Sequence, residues 1–175
     1  MAMCIGLTII TGIVVCIDIS RHHSPKIKRM IVKYMHFCLR ENEINGHLKL
    51  TGASYMMMGL LLSGVLFSKG LAITAWLILI ISDCIAAIIG TKFGLPLALF
   101  NGKSLIGSLF FFISAIFVSI ITYFAIGYST SFAIIILSSF LTTLAEFFAP
   151  KLRINDNFLI PITYSLSTIL FGLVV

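Results

Sequence analysis

Residues Leu71–Gly90 read LAITAWLILIISDCIAAIIG, 20 positions with one charged side chain, Asp83. At 1.5 Å per residue, a helix of this length matches a hydrocarbon layer ~30 Å thick. The rest of the chain has the same character. Its 175 residues are 59% hydrophobic and only 10% charged, with a mean hydropathy of +1.13. A water-soluble domain carries roughly 25% charged residues. Five further apolar segments lie near 3–19, 51–68, 104–127, 131–149 and 157–175. In lipid a backbone must satisfy its own hydrogen bonds. These segments therefore predict an all-α, polytopic transmembrane bundle of about six spans, forming one integral membrane domain over residues 1–175.

The connections separate by charge. The 21–50 connection holds seven basic residues, from Arg21 to Lys49; the 91–103 loop holds Lys92 and Lys103, and the 150–156 loop Lys151 and Arg153. The opposite side has only Lys69. With six spans these three basic loops fall on one face, cytoplasmic by the positive-inside rule, and both chain ends on the other. The net charge of +6 then reads as attraction to anionic headgroups rather than to nucleic acid. Ile27, Met30, Ile31, Tyr34 and Cys38 recur at helical spacing among Lys26, Lys28, Arg29, Lys33 and Arg40. That pattern suits either an amphipathic interfacial helix or a soluble connecting helix packed on the bundle. The four cysteines form no Cys-x-x-Cys pair and read as small apolar side chains. The first 17 residues lack a basic n-region, so a first membrane helix is expected rather than a signal peptide. Small size and absent targeting features point to a bacterial cytoplasmic membrane.

Six carboxylates are present: Asp18, Glu41, Glu43, Asp83, Glu146 and Asp156. Asp83 lies seven residues before Gly90, roughly 10 Å below the cytoplasmic surface if the helix ends there. A carboxylate at that depth is costly unless it meets water, a cation or a partner, so it is a functional candidate. A structural hydrogen bond to a neighbouring helix is the competing reading. Ala87, Gly90 and Gly94 share its helical face; Gly90 and Gly94 also make a Gly-x-x-x-Gly packing pattern. Glu146 lies four residues before Pro150, and Asp156 and Asn157 open the last helix. Three acids beside Lys103, Lys151 and Arg153 suggest a site for Mg²⁺ and phosphates, with surface ion pairing as the alternative. Gly102-Lys103-Ser104 resembles the end of a P-loop, but Leu97 stands where that motif requires glycine. What remains is a lysine, a hydroxyl and backbone N–H groups at a helix start, suited to phosphate.

These residues resemble a family. Ser82 to Gly94, followed by Gly102-Lys103-Ser104-Leu105-Ile106-Gly107-Ser108, is similar to the signature of the CTP-using lipid kinases and cytidylyltransferases. That group includes dolichol kinase, phytol kinase, yeast-type diacylglycerol kinase and phosphatidate cytidylyltransferase. Leu39-Arg40-Glu41-Asn42-Glu43, Thr51-Gly52-Ala53-Ser54-Tyr55, Glu146 and Asn155-Asp156-Asn157 to Pro161 resemble segments of the kinase branch. The cytidylyltransferase tail has no match here. Family members also carry an Arg-Lys and His element near the start, whose context Arg21 and His22 do not share.

The resemblance implies transfer of the γ-phosphate of CTP to the hydroxyl of a membrane lipid such as diacylglycerol, a polyprenol or phytol. It implies Asp83 and Asp156 on Mg²⁺, Lys103 on phosphate oxygens, and Glu146 as a further ligand or orienting acid. Gly90, Gly94, Gly102, Ser104 and Asn157 would support the nucleotide. Phosphatidate cytidylyltransferase and a small cation-coupled transporter are the alternatives. A transporter more often shows an inverted repeat, and none is found.

Overall fold

A computed structural model describes residues 2–24, 29–30, 33, 50–94 and 103–173. Among these residues the apolar segments become six long helices and no strand. They are α1 (Ala2–His23), α2 (Gly52–Leu66), α3 (Lys69–Phe93), α4 (Leu105–Ile126), α5 (Phe132–Leu152) and α6 (Asp156–Gly172). Four of them, α1, α3, α4 and α5, are long and apolar enough to cross a membrane. Helices α2 and α6 are shorter, at 15 and 17 residues. The protein is thus a helical membrane bundle. Large apolar side chains face outward, as lipid contact requires: Phe124 is 91% exposed and Ile88 63%. The expected amphipathic helix of residues 26–40 falls largely outside the described residues.

Several helices run further than composition suggested. Helix α3 continues past Gly90 to Phe93 and stops at Gly94, whose N–H bonds the Gly90 carbonyl at 3.1 Å. Asp83 therefore lies about 15 Å along the helix from its end, deeper than the expected 10 Å. The same helix widens into a π-turn over Ile78–Ser82, directly before Asp83. The extra residue of such a turn rotates everything after it by roughly 100° relative to the first half. Helix α1 runs to His23 and so includes Asp18 and Arg21. Helix α5 passes through Pro150 and ends on Arg153, at φ 57°.

Helix α6 is central. It packs on α2 and α5, and its Ile160 and Tyr164 are fully buried. They share one apolar core with Leu71 and Ile78 of α3 and Phe111 and Ala115 of α4. The close contacts rest on small residues, as in other membrane bundles. A Cβ on Gly59 of α2 would lie 2.9 Å from the Asn157 carbonyl oxygen of α6. One on Gly107 of α4 would lie 2.9 Å from the Ala86 carbonyl oxygen of α3. Buried hydroxyls bond back into their own helices, as Ser63 does to Gly59 at 2.7 Å and Thr142 to Ser138 at 2.6 Å. Midway along α6, Tyr164 donates to Ser119 at 2.7 Å, tying α6 to α4.

The end of α3 meets the start of α4 most tightly at Gly94. A Cβ there would sit 2.2 Å from the Gly90 carbonyl oxygen and 2.5 Å from the Ser104 hydroxyl. Gly94→Ala should therefore destabilise the protein by about 1–3 kcal/mol, the usual range for overpacking. Thermal unfolding in detergent measures this; an unchanged melting temperature would show that the contact is loose.

Candidate functional site

At one end of the bundle the ends of α3 and α5 meet the starts of α4 and α6. The three acids expected to converge there do so. One carboxylate oxygen from each of Asp83, Glu146 and Asp156 lies within 4.8 Å of the others. Glu146 and Asp156 are buried, and Asp83 is half-buried. They line a cavity of about 460 Å³ with Lys103, Ser104 and Gly90. Its walls also include Thr91, Ser108, Asn155 and Pro150.

Lys103, one residue before the Ser104 cap of α4, is the cation of this cluster. It donates to Glu146 Oε1, to Asp156 Oδ2 at 2.8 Å, and to the Glu146 main-chain oxygen at 3.0 Å. An ammonium has three N–H groups, and these three acceptors match them. The main-chain acceptor has a sequence cause. In a regular helix the N–H of residue 150 would bond the carbonyl of residue 146, but Pro150 has no N–H. The Glu146 carbonyl is therefore left for Lys103. The pattern Glu146-x-x-x-Pro150 thus supplies two acceptors to one cation.

Burial works to lower the Lys103 pKa, and the Glu146 and Asp156 carboxylates outweigh it, so the ammonium is held above the ordinary lysine value. Glu146 also accepts from the Ser108 hydroxyl at 3.4 Å. Asp156 opens α6, where the helix dipole favours negative charge. Its Oδ1 accepts the Asn157 N–H at 3.0 Å.

Other expected site residues have helix-building roles. The Ser104 hydroxyl is buried and caps α4, accepting the Gly107 N–H at 3.0 Å. Gly94 does not line the cavity; it makes room for Ser104, while Gly90 both lines the cavity and lies against Ser104. The Gly-x-x-x-Gly spacing is therefore a helix-packing device here. Asn157 does not line the cavity either. Its side chain donates to the Gly52 carbonyl at 3.2 Å, joining α6 to α2. Gly102 lies outside the described residues. In this structure the Lys103 ammonium faces carboxylates, between the groups expected to hold a metal.

The site is chemically suited to a hard cation. Its donors are carboxylate oxygens, one from each of three residues, all within 4.8 Å of one another. Asp83 and Asp156 could each offer an oxygen to such a cation.

Arg21, expected among the basic residues of the 21–50 connection, instead lies buried within α1 beside Asp18, for which the sequence suggests no role. The two are buried, with Arg21 Nε 2.7 Å from Asp18 Oδ1. The signal was an Asp-x-x-Arg pair at the end of an apolar helix.

Fold and site define a membrane-embedded helical protein with an acidic, lysine-bridged cavity at one end. The chain is 48% identical to the uncharacterized protein RP860 of Rickettsia prowazekii (strain Madrid E) over 170 residues, covering 97% of this chain and 82% of that protein. It is 32% identical to the uncharacterized protein MJ1137 of Methanocaldococcus jannaschii over 156 residues, covering 89% and 72%. The chain belongs to the family of these two proteins. No protein-family model matches it, and no solved structure does.

Breaking a buried pair strands the remaining charge. Lys103→Met should therefore lower stability at pH 7 by about 3 kcal/mol. A raised pKa places the ion pair's contribution below the ordinary lysine range, to be lost as pH rises through the raised value. The difference between wild type and variant should accordingly narrow above about pH 10.4. Melting temperatures at pH 7 and pH 11 check both parts. A difference independent of pH would mean that the ammonium's charge is not what stabilises the site.

Proposed function

We propose that this protein is a CTP-dependent lipid kinase. The observation that carries the proposal is the convergence of Asp83, Glu146, Asp156 and Lys103 in one cavity at the end of a membrane bundle. Phosphoryl transfer needs little covalent help from a protein. It needs charge neutralisation and in-line positioning. Acidic residues for a metal and a lysine that could turn to phosphate, in one cavity of a membrane bundle, suit those needs. The choice of CTP rests on the resemblance of residues 82–94 and 102–108 to the CTP-using lipid kinases.

In this reading the lipid hydroxyl oxygen attacks the γ-phosphorus, the bond to the β-phosphate oxygen breaks, and CDP leaves. The hydroxyl proton passes to a carboxylate of the cluster. Mg²⁺, held by Asp83 and Asp156, supplies neutralisation of the phosphate charge when bound. Lys103 has a two-position role. Without nucleotide it balances Glu146 and Asp156; with nucleotide its ammonium turns to the phosphate oxygens, and the acids are released. Glu146 orients Lys103 through both its side chain and its carbonyl. The Ser104 cap fixes the start of α4 and so the reach of Lys103.

The test uses purified protein in mixed lipid with Mg²⁺ and CTP labelled at the γ-phosphate. Labelled lipid with release of CDP is expected. A CMP-bearing lipid with release of pyrophosphate would make the protein a cytidylyltransferase instead. No CTP turnover would overturn the reading. Asp83→Asn should lower turnover by about 10²–10³-fold, the scale of removing one preorganised charge-stabilising group. Its level in the membrane fraction should be unchanged. Wild-type rates in that variant would remove Asp83 from the chemistry.

A further inference from the structure

A second polar centre stands at the same end of the bundle, where α1 meets the start of α2. Asp18 Oδ2 accepts the Thr51 N–H at 2.6 Å, the Thr51 hydroxyl at 3.0 Å and the Ser54 hydroxyl at 2.6 Å. Its other oxygen meets Arg21. Asp18 is 4% exposed and Arg21 5%. Thr51 already caps α2 by accepting the Ser54 N–H at 3.3 Å. The Asp18 carboxylate is thus a further group at that helix start, contributed by another helix, where negative charge is favoured.

Stability alone is a poor reason for such a pair. Burying two charges roughly offsets their attraction, and well-packed apolar residues often do as well. What the pair does do is fix the first turn of α2. The next carbonyl in that turn, Gly52 O, accepts the Asn157 side chain at 3.2 Å. The Asn157 N–H in turn bonds Asp156 Oδ1, whose other oxygen holds Lys103. Gly59, about two turns along the same face of α2, lies against Asn157 and Phe158. A continuous set of contacts therefore runs from Asp18 through Thr51, Gly52 and Asn157 to Asp156.

We propose that Asp18 and Arg21 are positioning residues for the acidic site, holding the first turn of α6, and so the Asp156 carboxylate, in place through the start of α2. The effect on turnover rests on the kinase reading above; the effect on the α6 backbone does not. Groups that orient a ligand-bearing carboxylate affect function by about 10–100-fold when removed.

The experiment compares wild type with Asp18→Asn and with Ser54→Ala, which removes one donor to Asp18 and leaves the ion pair. Amide hydrogen exchange is followed in the reconstituted full-length protein. Exchange at residues 156–159 should quicken by at least about tenfold in Asp18→Asn, and less in Ser54→Ala, while residues 164–168 keep their protection. In the kinase assay Asp18→Asn should lower kcat by about 10–100-fold, with KM for CTP within about twofold. Adding Asn157→Ala should cost little more, because both changes cut the same connection. The Tyr164→Phe change, about two turns further along α6, should multiply with Asp18→Asn instead. If Asp18→Asn does not fold, Ser54→Ala carries the comparison. Unchanged exchange at 156–159 in the variants, or full multiplication of Asp18→Asn with Asn157→Ala, would overturn the proposal. Faster exchange at 156–159 in a protein that turns over no CTP would sink the kinase reading and leave the positioning role standing.

Discussion

The structure depends on one constraint: three carboxylates must be held near the low-dielectric interior of a membrane protein. An uncompensated charge there is expensive. Among the described residues, the Lys103 ammonium helps to meet this, bonded to Glu146 twice and to Asp156 once. Much of the surrounding architecture serves that arrangement. Pro150 opens a carbonyl for the ammonium, Ser108 adds a donor to Glu146, and the start of α6 favours the charge of Asp156.

Placing these groups requires helices that approach closely. Gly90, Gly94 and Gly107 let the end of α3 and the start of α4 come together around the Ser104 hydroxyl. Gly59 does the same for α2 and α6. In lipid there is no hydrophobic force between helices, so association relies on packing and on interhelical hydrogen bonds. The glycines supply the packing. The Asp18, Asn157 and Lys103 contacts supply polar ties at one end of the bundle, and Tyr164–Ser119 and Trp76–Ser63 supply others further along. A site at the end of a bundle can meet water-borne phosphate and a lipid headgroup together.

Much of this was legible in the chain. Long apolar segments become helices because the bilayer leaves a backbone few alternatives. Asp83, Glu146 and Asp156 stood out because charge is scarce in such segments, and they do converge. What escaped reading depended on tertiary contact or on helix detail. Nothing in Ile78–Ser82 announces a π-turn. Asn157 and Ser104 carry polar groups that suit a ligand equally well, and only the folded chain shows them bonded to Gly52 and Gly107. Pro150 read as a helix end, because its effect on the Glu146 carbonyl matters only once Lys103 arrives from another helix. Asp18 was passed over because its partners Thr51 and Ser54 lie more than 30 positions away.

In the proposed kinase, the acids and Lys103 form a metal and phosphate site in which the ammonium yields its place when nucleotide arrives. Electron paramagnetic resonance of Mn²⁺ added to the reconstituted protein tests this most directly. Mn²⁺ alone should bind weakly, where the ammonium competes, and one equivalent per chain should bind tightly when CTP is present. Asp156→Asn should abolish the tight component. Mn²⁺ binding that is unaffected by CTP, or that survives the loss of Asp156, would contradict it.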